Sequence, residues 1–275
     1  MGENKVKRIF ITGASSGLGE ALARHYAQQG AVLGLVARRS EALQRLLADL
    51  PAAPAASSHR IYALDVTDHA ALAAAAADFI AHEGGADIVI ANAGVSRGTL
   101  TEFAEDIPVI ERIMAVNVVA MAATFSPFIA TMKAQARQGQ DCRLVGIASV
   151  AGIRGLPGSE AYSASKAAVI SYCEALRVEL RAAGIKVVTV APGYVDTPMT
   201  RVNTYPMPFL MPAAAFAERA AQVIAKGKSY AVIPWQMGVV AKLLRLLPNA
   251  LYDWVFAKAP HKPRKLPTDS GQQAD

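Results

Sequence analysis

The chain has 275 residues, 53% of them hydrophobic and 18% charged, with a formal net charge of +6. A chain of this size can bury the core of one large α/β domain, and much of its apolar content is alanine in helix-forming runs such as "HAALAAAAADFIAHEGG". The basic residues are scattered apart from "KAPHKPRK" at 258–265, and no nucleic-acid motif accompanies them, so a nucleic-acid partner is not expected. A membrane span is not expected either, because Lys242 and Arg245 interrupt the best apolar run.

The N-terminal "MGENKVKRIFITGAS" passes from charged residues directly into a strand pattern, with no apolar stretch of signal-peptide length, and the cytoplasm is the expected location. Strands are predicted at 6–13 and 31–38, then at 59–66 after a loop "PAAPAASSH", and again at 86–94, 142–149, 185–193 and 230–234. Helical stretches of roughly a dozen residues or more separate them, as crossover helices do. The pattern predicts a single-domain, Rossmann-like α/β fold: a doubly wound parallel sheet of about seven strands with helices on both faces. Residues 1–235 form the expected domain, including a substrate loop at 193–215, and residues 236–275 an extension. The stretch 192–212 carries five prolines and is too long for an ordinary connection, which suits a lid or binding loop. Cys142 and Cys173 sit among apolar residues without a CxxC or histidine-rich companion; they read as buried thiols in a reducing compartment, with no metal site.

Gly13, Gly17 and Gly19 fall where the first strand gives way to a helix. Glycine there permits a tight turn and close backbone approach, and the helix start offers free N–H groups to a phosphate. Tyr162 and Lys166, in "SEAYSASK", share a helix face at i,i+4, but that spacing by itself describes many solvated pairs.

Taken in order, these motifs resemble the classical short-chain dehydrogenase/reductase family over about residues 6 to 235. TGxxxGxG appears at 12–19; "ANAG" at 91–94 is similar to the family's NNAG, with Ala91 in place of the first asparagine; Asn117 lies in "MAVNVVA"; Ser149 ends the fifth strand; Tyr162 and Lys166 form YxxxK; and "PGYVDT" at 192–197 matches PGxxxT. The resemblance implies a bound nicotinamide held by Gly13, Ser15, Ser16, Gly17, Leu18 and Gly19, by Asp65 and Val66 at the adenine, by Asn92, Ala93 and Gly94, and by Pro192, Gly193, Val195 and Thr197. It implies that Tyr162 donates the proton and that Lys166 stabilises its phenolate and holds the ribose, with both touching cofactor. Ser149 would bind the substrate oxygen and Asn117 would anchor a water in a relay behind Lys166. A homo-oligomer, dimer or tetramer, built through helices around 103–137 and 160–183 is implied as well.

Side chains cannot donate hydride, so reduction of a ketone needs such a cofactor. The second strand ends in Ala37-Arg38-Arg39, with no acid before Glu41, and a pair of guanidiniums suits the extra phosphate of NADP(H) better than a bare ribose hydroxyl. The expected activity is therefore an NADP(H)-dependent carbonyl reductase acting on a small-molecule ketone or alcohol. Large apolar residues at Tyr205, Met207, Phe209, Leu210 and Met211 point to a hydrophobic substrate, of lipid or acyl-chain type. In 235–257, Val239, Val240, Leu243, Leu244 and Leu247 predict the apolar face of an amphipathic helix that breaks near Pro248. That segment could close the pocket, join subunits or lie peripherally on the inner membrane face through 235–265. Two other functions stay open: an NADP-sensing binder without turnover, and a membrane-surface protein acting mainly through its C-terminal segment.

Overall fold

Strands covered by helices on both sides must be apolar on both faces, and the buried runs "IFIT", "VLGLVA", "IVIA" and "VVTVAP" meet that demand. In the computed structural model, which describes residues 6–54, 57–257, 259 and 261–264, they form β1 (Arg8–Thr12), β2 (Val32–Ala37), β3 (Arg60–Ala63), β4 (Ile88–Ala91), β5 (Arg143–Ile147), β6 (Lys186–Pro192), β7 (Val195–Asp196), β8 (Met211–Pro212) and β9 (Tyr230–Ile233). Seven of these make one parallel sheet in the order β3-β2-β1-β4-β5-β6-β9. Each of the seven expected strands is present. The irregular stretch at 192–212 also holds a small parallel pair, β7 with β8, too short for periodicity to reveal.

The helices are α1 (Gly17–Gln28), α2 (Ser40–Asp49), α3 (His69–Glu83), α4 (Ile107–Met114), α5 (Ala120–Arg137), α6 (Glu160–Glu179), α7 (Pro198–Arg201), α8 (Ala213–Ala225), α9 (Trp235–Leu246) and α10 (Asn249–Phe256). Alternate strand residues feed two cores. Ile9 and Ile11 pack with Leu22, Leu43 and Phe216 under α1, α2 and α8; Phe10 packs with Phe79, Phe125 and Phe128 under α3 and α5. The continuous helical stretch Ala104–Arg137 is long and apolar enough by composition to cross a membrane, which a search for uninterrupted apolar runs overlooks. Here its Phe125, Phe128 and Met132 are core residues.

The strand order reverses between β1 and β4, and a crevice opens at the carboxyl ends of strands at such a switch point. All the motif residues lie at that edge. α9 departs from expectation. Its buried residues are Met237, Gly238 and Ala241, whereas Val239, Val240 and Leu243 are exposed. α9 approaches β9 closely at Gly238, where a Cβ would lie 3.1 Å from Val232 Cβ, and Met237 fills the space over Gly193, where a Cβ would lie 2.7 Å from its Cγ. The break at Pro248 is where it was predicted, with Pro248 preceding α10. Of the basic run at 258–265, Lys258, Pro260 and Lys265 lie outside the described residues, as do 1–5 and 55–56 of the loop before β3.

Candidate active site

Thr12 ends β1 with a fully buried hydroxyl that accepts the N–H groups of Asn92 (3.1 Å) and Ala93 (3.2 Å). Asn92 returns the link, its Nδ2 donating to the carbonyls of Thr12 (3.0 Å) and Gly13 (3.1 Å). The loops after β1 and β4 are thus stapled together. Gly13 has φ of 68°, and a Cβ there would fall 2.8 Å from Ala93 Cα, so only glycine fits the approach. Ser16 precedes α1 without a side-chain cap, which leaves the N–H groups of the first turn, beside Ser15, Gly17, Leu18 and Gly19, for an anion. Thr197 closes the far side, 3.3 Å from where a Gly17 Cβ would stand. It caps α7, and Val195 is pinned in the β7–β8 pair just beyond Pro192 and Gly193. This cradle fits the pyrophosphate of a dinucleotide.

Arg38 and Arg39 are exposed at the end of β2, and Arg39 donates to Ser15 Oγ at 3.2 Å, over the glycine loop. Asp65 is held by partners of the protein's own. One oxygen accepts from Thr67 N–H (2.9 Å) and Thr67 Oγ1 (2.8 Å), and the other takes Arg112 at 2.5 Å. Partial burial opposes its charge, but those donors outweigh it and hold the carboxyl at about 2. Val66 beside it is a core residue.

Tyr162 sits in the first turn of α6, and Lys166 one turn on places Nζ 5.8 Å from the tyrosine ring centroid. Lys166 is only 5% exposed. Its ammonium donates to Ile147 O at 2.9 Å, at the end of β5, and burial draws its pKa down to about 8. Burial pushes the Tyr162 phenol up, and the neighbouring Ser149 hydroxyl works against that. Ser149 leaves β5 in extended conformation, its Oγ accepting from Ala151 N–H at 3.2 Å. A Cβ at Gly94 would stand 3.3 Å from Asn117 Oδ1 and 3.5 Å from Lys166 Nζ, so the β4 loop and the catalytic candidates converge.

Asn117 lies in a π-helical turn, 115–119, between α4 and α5. Its Oδ1 accepts from Val95 N–H (2.8 Å), and Nδ2 donates to Val95 O (3.0 Å) and Ser165 Oγ (2.9 Å). Ser165 in turn donates to Tyr162 O at 2.8 Å. The carboxamide thus clamps the β4 loop to α6, and Oδ1, accepting one hydrogen bond, keeps a second lone pair.

The sequence signature of the short chain dehydrogenases matches residues 7–206. The chain belongs to the short-chain dehydrogenase/reductase family. A relative from Myxococcus xanthus (strain DK1622), named an uncharacterized oxidoreductase, is 38% identical over 253 residues, covering 92% of this chain and 97% of its own. Among solved structures, a short-chain dehydrogenase/reductase from Burkholderia phymatum in complex with NAD is 26% identical, with a TM-score of 0.77 over 97% of this chain and 100% of that one. A 3-ketoacyl-(acyl-carrier-protein) reductase from Brucella melitensis, complexed with NADH, is 28% identical, with a TM-score of 0.75 over 82% and 96%.

As a short-chain oxidoreductase site, the arrangement includes groups that sequence reasoning passed over. Thr12 is a lone polar side chain ending an apolar strand, a signal present in the sequence. Ser165 looks like any helix serine until Asn117 is seen to reach it. Arg112 carries no local mark of its pairing with Asp65.

Proposed function

We infer that this chain is an NADP(H)-dependent carbonyl reductase, interconverting a ketone and a secondary alcohol on a hydrophobic compound of lipid or acyl-chain type. One observation carries the reading: Tyr162, Lys166 and Ser149 converge at the carboxyl edge of the sheet, beside the cradle of Gly13–Gly19 and Asn92–Gly94. A bound nicotinamide supplies the hydride. Tyr162, whose buried phenol holds its proton, delivers that proton to the carbonyl oxygen, and Ser149 orients the same oxygen. Lys166 carries its charge below about pH 8 and stabilises the phenolate left behind. Asn117, in the π turn beside Lys166, anchors the water of a proton relay behind that lysine in this reading, since its Oδ1 accepts one hydrogen bond and has room for a second.

Arg39 over Ser15, with no acid at the end of β2, supports NADP(H) over NAD(H). Tyr194 and Tyr205 meet edge-to-face at 6.3 Å. Burial pushes Tyr205 up to about 12, with Tyr194 and Tyr162 near enough to add to the effect, so the substrate loop stands beside the catalytic tyrosine. An aromatic wall there suits an apolar carbon chain, and the Brucella melitensis neighbour is by name a 3-ketoacyl reductase. The test is NADPH consumption over a panel of aliphatic ketones by the wild type and Tyr162→Phe. Loss of the proton donor is expected to cost roughly 100-fold or more in kcat; equal turnover by both proteins overturns the assignment.

A second reading concerns location and rests on the face that α9 and α10 leave uncovered. Trp235 is 68% exposed and Leu246 and Trp254 78% each, with Lys242 and Arg245 alongside. Tryptophan with basic neighbours matches an interfacial anchor, and under this reading the reductase works attached peripherally to the inner, cytoplasmic face of a membrane.

A further inference from the structure

After α10 the chain returns, and residues 261–264 cross from the N-terminal end of α6 to the loop after β4. Four contacts hold this return. Gly98 N–H donates to Pro263 O at 3.1 Å, and a Cβ at Gly98 would fall 2.1 Å from Lys262 O. His261 lies against Gly158, where a Cβ would fall 2.5 Å from the ring. Arg264 forks onto buried Asp106 at 2.8 and 3.0 Å and stacks over Phe103 at 3.8 Å. Upstream, Arg154 donates to the carbonyls of Leu244 (2.8 Å) and Leu247 (2.9 Å) at the end of α9 and covers the Tyr252 ring at 4.0 Å, which fixes where the return begins.

Lys262 is the fourth contact and points inward. Its Nζ donates to Ser96 Oγ at 2.8 Å and lies 5.9 Å from the Tyr162 ring centroid. The phenol thus has two ammonium neighbours. Lys166 belongs with Gly94 and Asn117, the cofactor half of the site. Lys262 comes from outside that half, and no carboxylate pairs with it among the described residues, whereas Arg264 two residues on has Asp106 and Glu105. Burial lowers the Lys262 ammonium to about 8, a cost that an arriving anion would offset.

We propose that Lys262 and Ser96 form an anion subsite beside Tyr162, so that the substrate is an oxo-carboxylate whose carboxylate meets Lys262 while its apolar remainder lies toward Tyr194 and Tyr205. The inference rests on the reductase reading of the site. The return at 261–264 is on this view part of the pocket wall, joined to the β4 loop by Gly98 and Asp106.

Octanoate, titrated calorimetrically into the full-length chain alone and with NADP+, tests the subsite without turnover. Lys262→Gln is expected to raise its Kd about 10-fold or more, Lys262→Arg to keep most of the affinity, and neutral octanamide to bind the wild type and Lys262→Gln alike. Equal octanoate affinity in wild type and Lys262→Gln overturns the proposal, as does no octanoate binding by the wild type. An equal loss for octanamide, which would mark mere loosening of the chain end, overturns it too, and so does a matching rise in Kd for NADPH, which would assign the ammonium to the cofactor. In turnover with NADPH, Lys262→Gln is expected to raise KM for 2-, 4- and 5-oxooctanoate and leave that of their ethyl esters unchanged. Failure of the reductase reading shows separately, as no NADPH consumption on acid and ester alike while octanoate binding still depends on Lys262.

Discussion

Burial acts on Tyr162 and Lys166 in opposite senses, keeping the phenol protonated and easing the ammonium toward neutrality. Lys166 is charged below about 8 and neutral above it, so reductive kcat/KM on a neutral ketone is expected to fall as pH rises through about 8. Lys262 also neighbours the phenol and titrates in the same range, so the profile is read on Lys262→Gln, and a flat profile there from about pH 6 to about pH 10 would remove the Lys166 charge from the rate. Cofactor choice is also decided by single residues. Replacing Arg38 and Arg39 by alanine is expected to weaken NADPH binding roughly 10- to 100-fold and to leave NADH nearly unchanged, read by fluorescence titration; equal losses would show two arginines that only solvate the end of β2. Tyr162, Lys166, Ser149 and the glycine loop were legible because each is marked over a few residues, by helical spacing or by a strand-to-helix junction. Asn117 was legible as a position but not as a clamp, since its partners Val95 and Ser165 lie 22 and 48 residues away.

Among elements, the pairing of Asp65, after β3, with Arg112 of α4 ties the carboxyl end of β3 to the helix that leads into the π turn. Its carboxyl, held at about 2 against an ordinary 3.8, stabilises the fold in full above about pH 4, and that contribution is lost as pH falls toward 2. Wild type and Asp65→Asn, compared by urea unfolding, are therefore expected to differ most above about pH 4 and to converge by about pH 2. A difference that persists unchanged at about pH 2 would place the effect elsewhere. The inner strands β1, β2, β4, β5 and β6 were legible because a strand buried on both faces is apolar throughout, whereas the partly buried edge strands β3 and β9 were marked by β-branched and aromatic residues between loops. The face of α9 was not legible. Hydrophobicity favours Val239 and Leu243, but the face that meets β9 and Gly193 is that of Met237, Gly238 and Ala241, with Gly238 close against Val232 of β9.

At the scale of the whole molecule, the C-terminal segment serves two surfaces at once. Its return at 261–264 lines the site, while α9 and α10 turn Trp235, Leu246 and Trp254 outward. The exposed face is expected to float the full chain with anionic vesicles, and changing Trp235 and Trp254 to serine to leave it in the dense fraction. A wild type that never floats would reserve this face for a second copy. Ile107, Val119, Tyr172 and Val178, between α4 and α6, are exposed as well, and we propose this surface for the homo-oligomer that the family resemblance implied. The sequence by itself determined the alternating βα order, the cradle at Gly13 and the pair Tyr162 and Lys166, because these depend on backbone freedom and periodicity within one or two turns of chain. Tertiary structure alone decided which face α9 buries, what the Asn117 amide holds, and that Lys262 meets Ser96 across 166 residues. Contacts of that separation depend on how helices stack on the sheet, and packing at that range leaves no periodic trace in the chain.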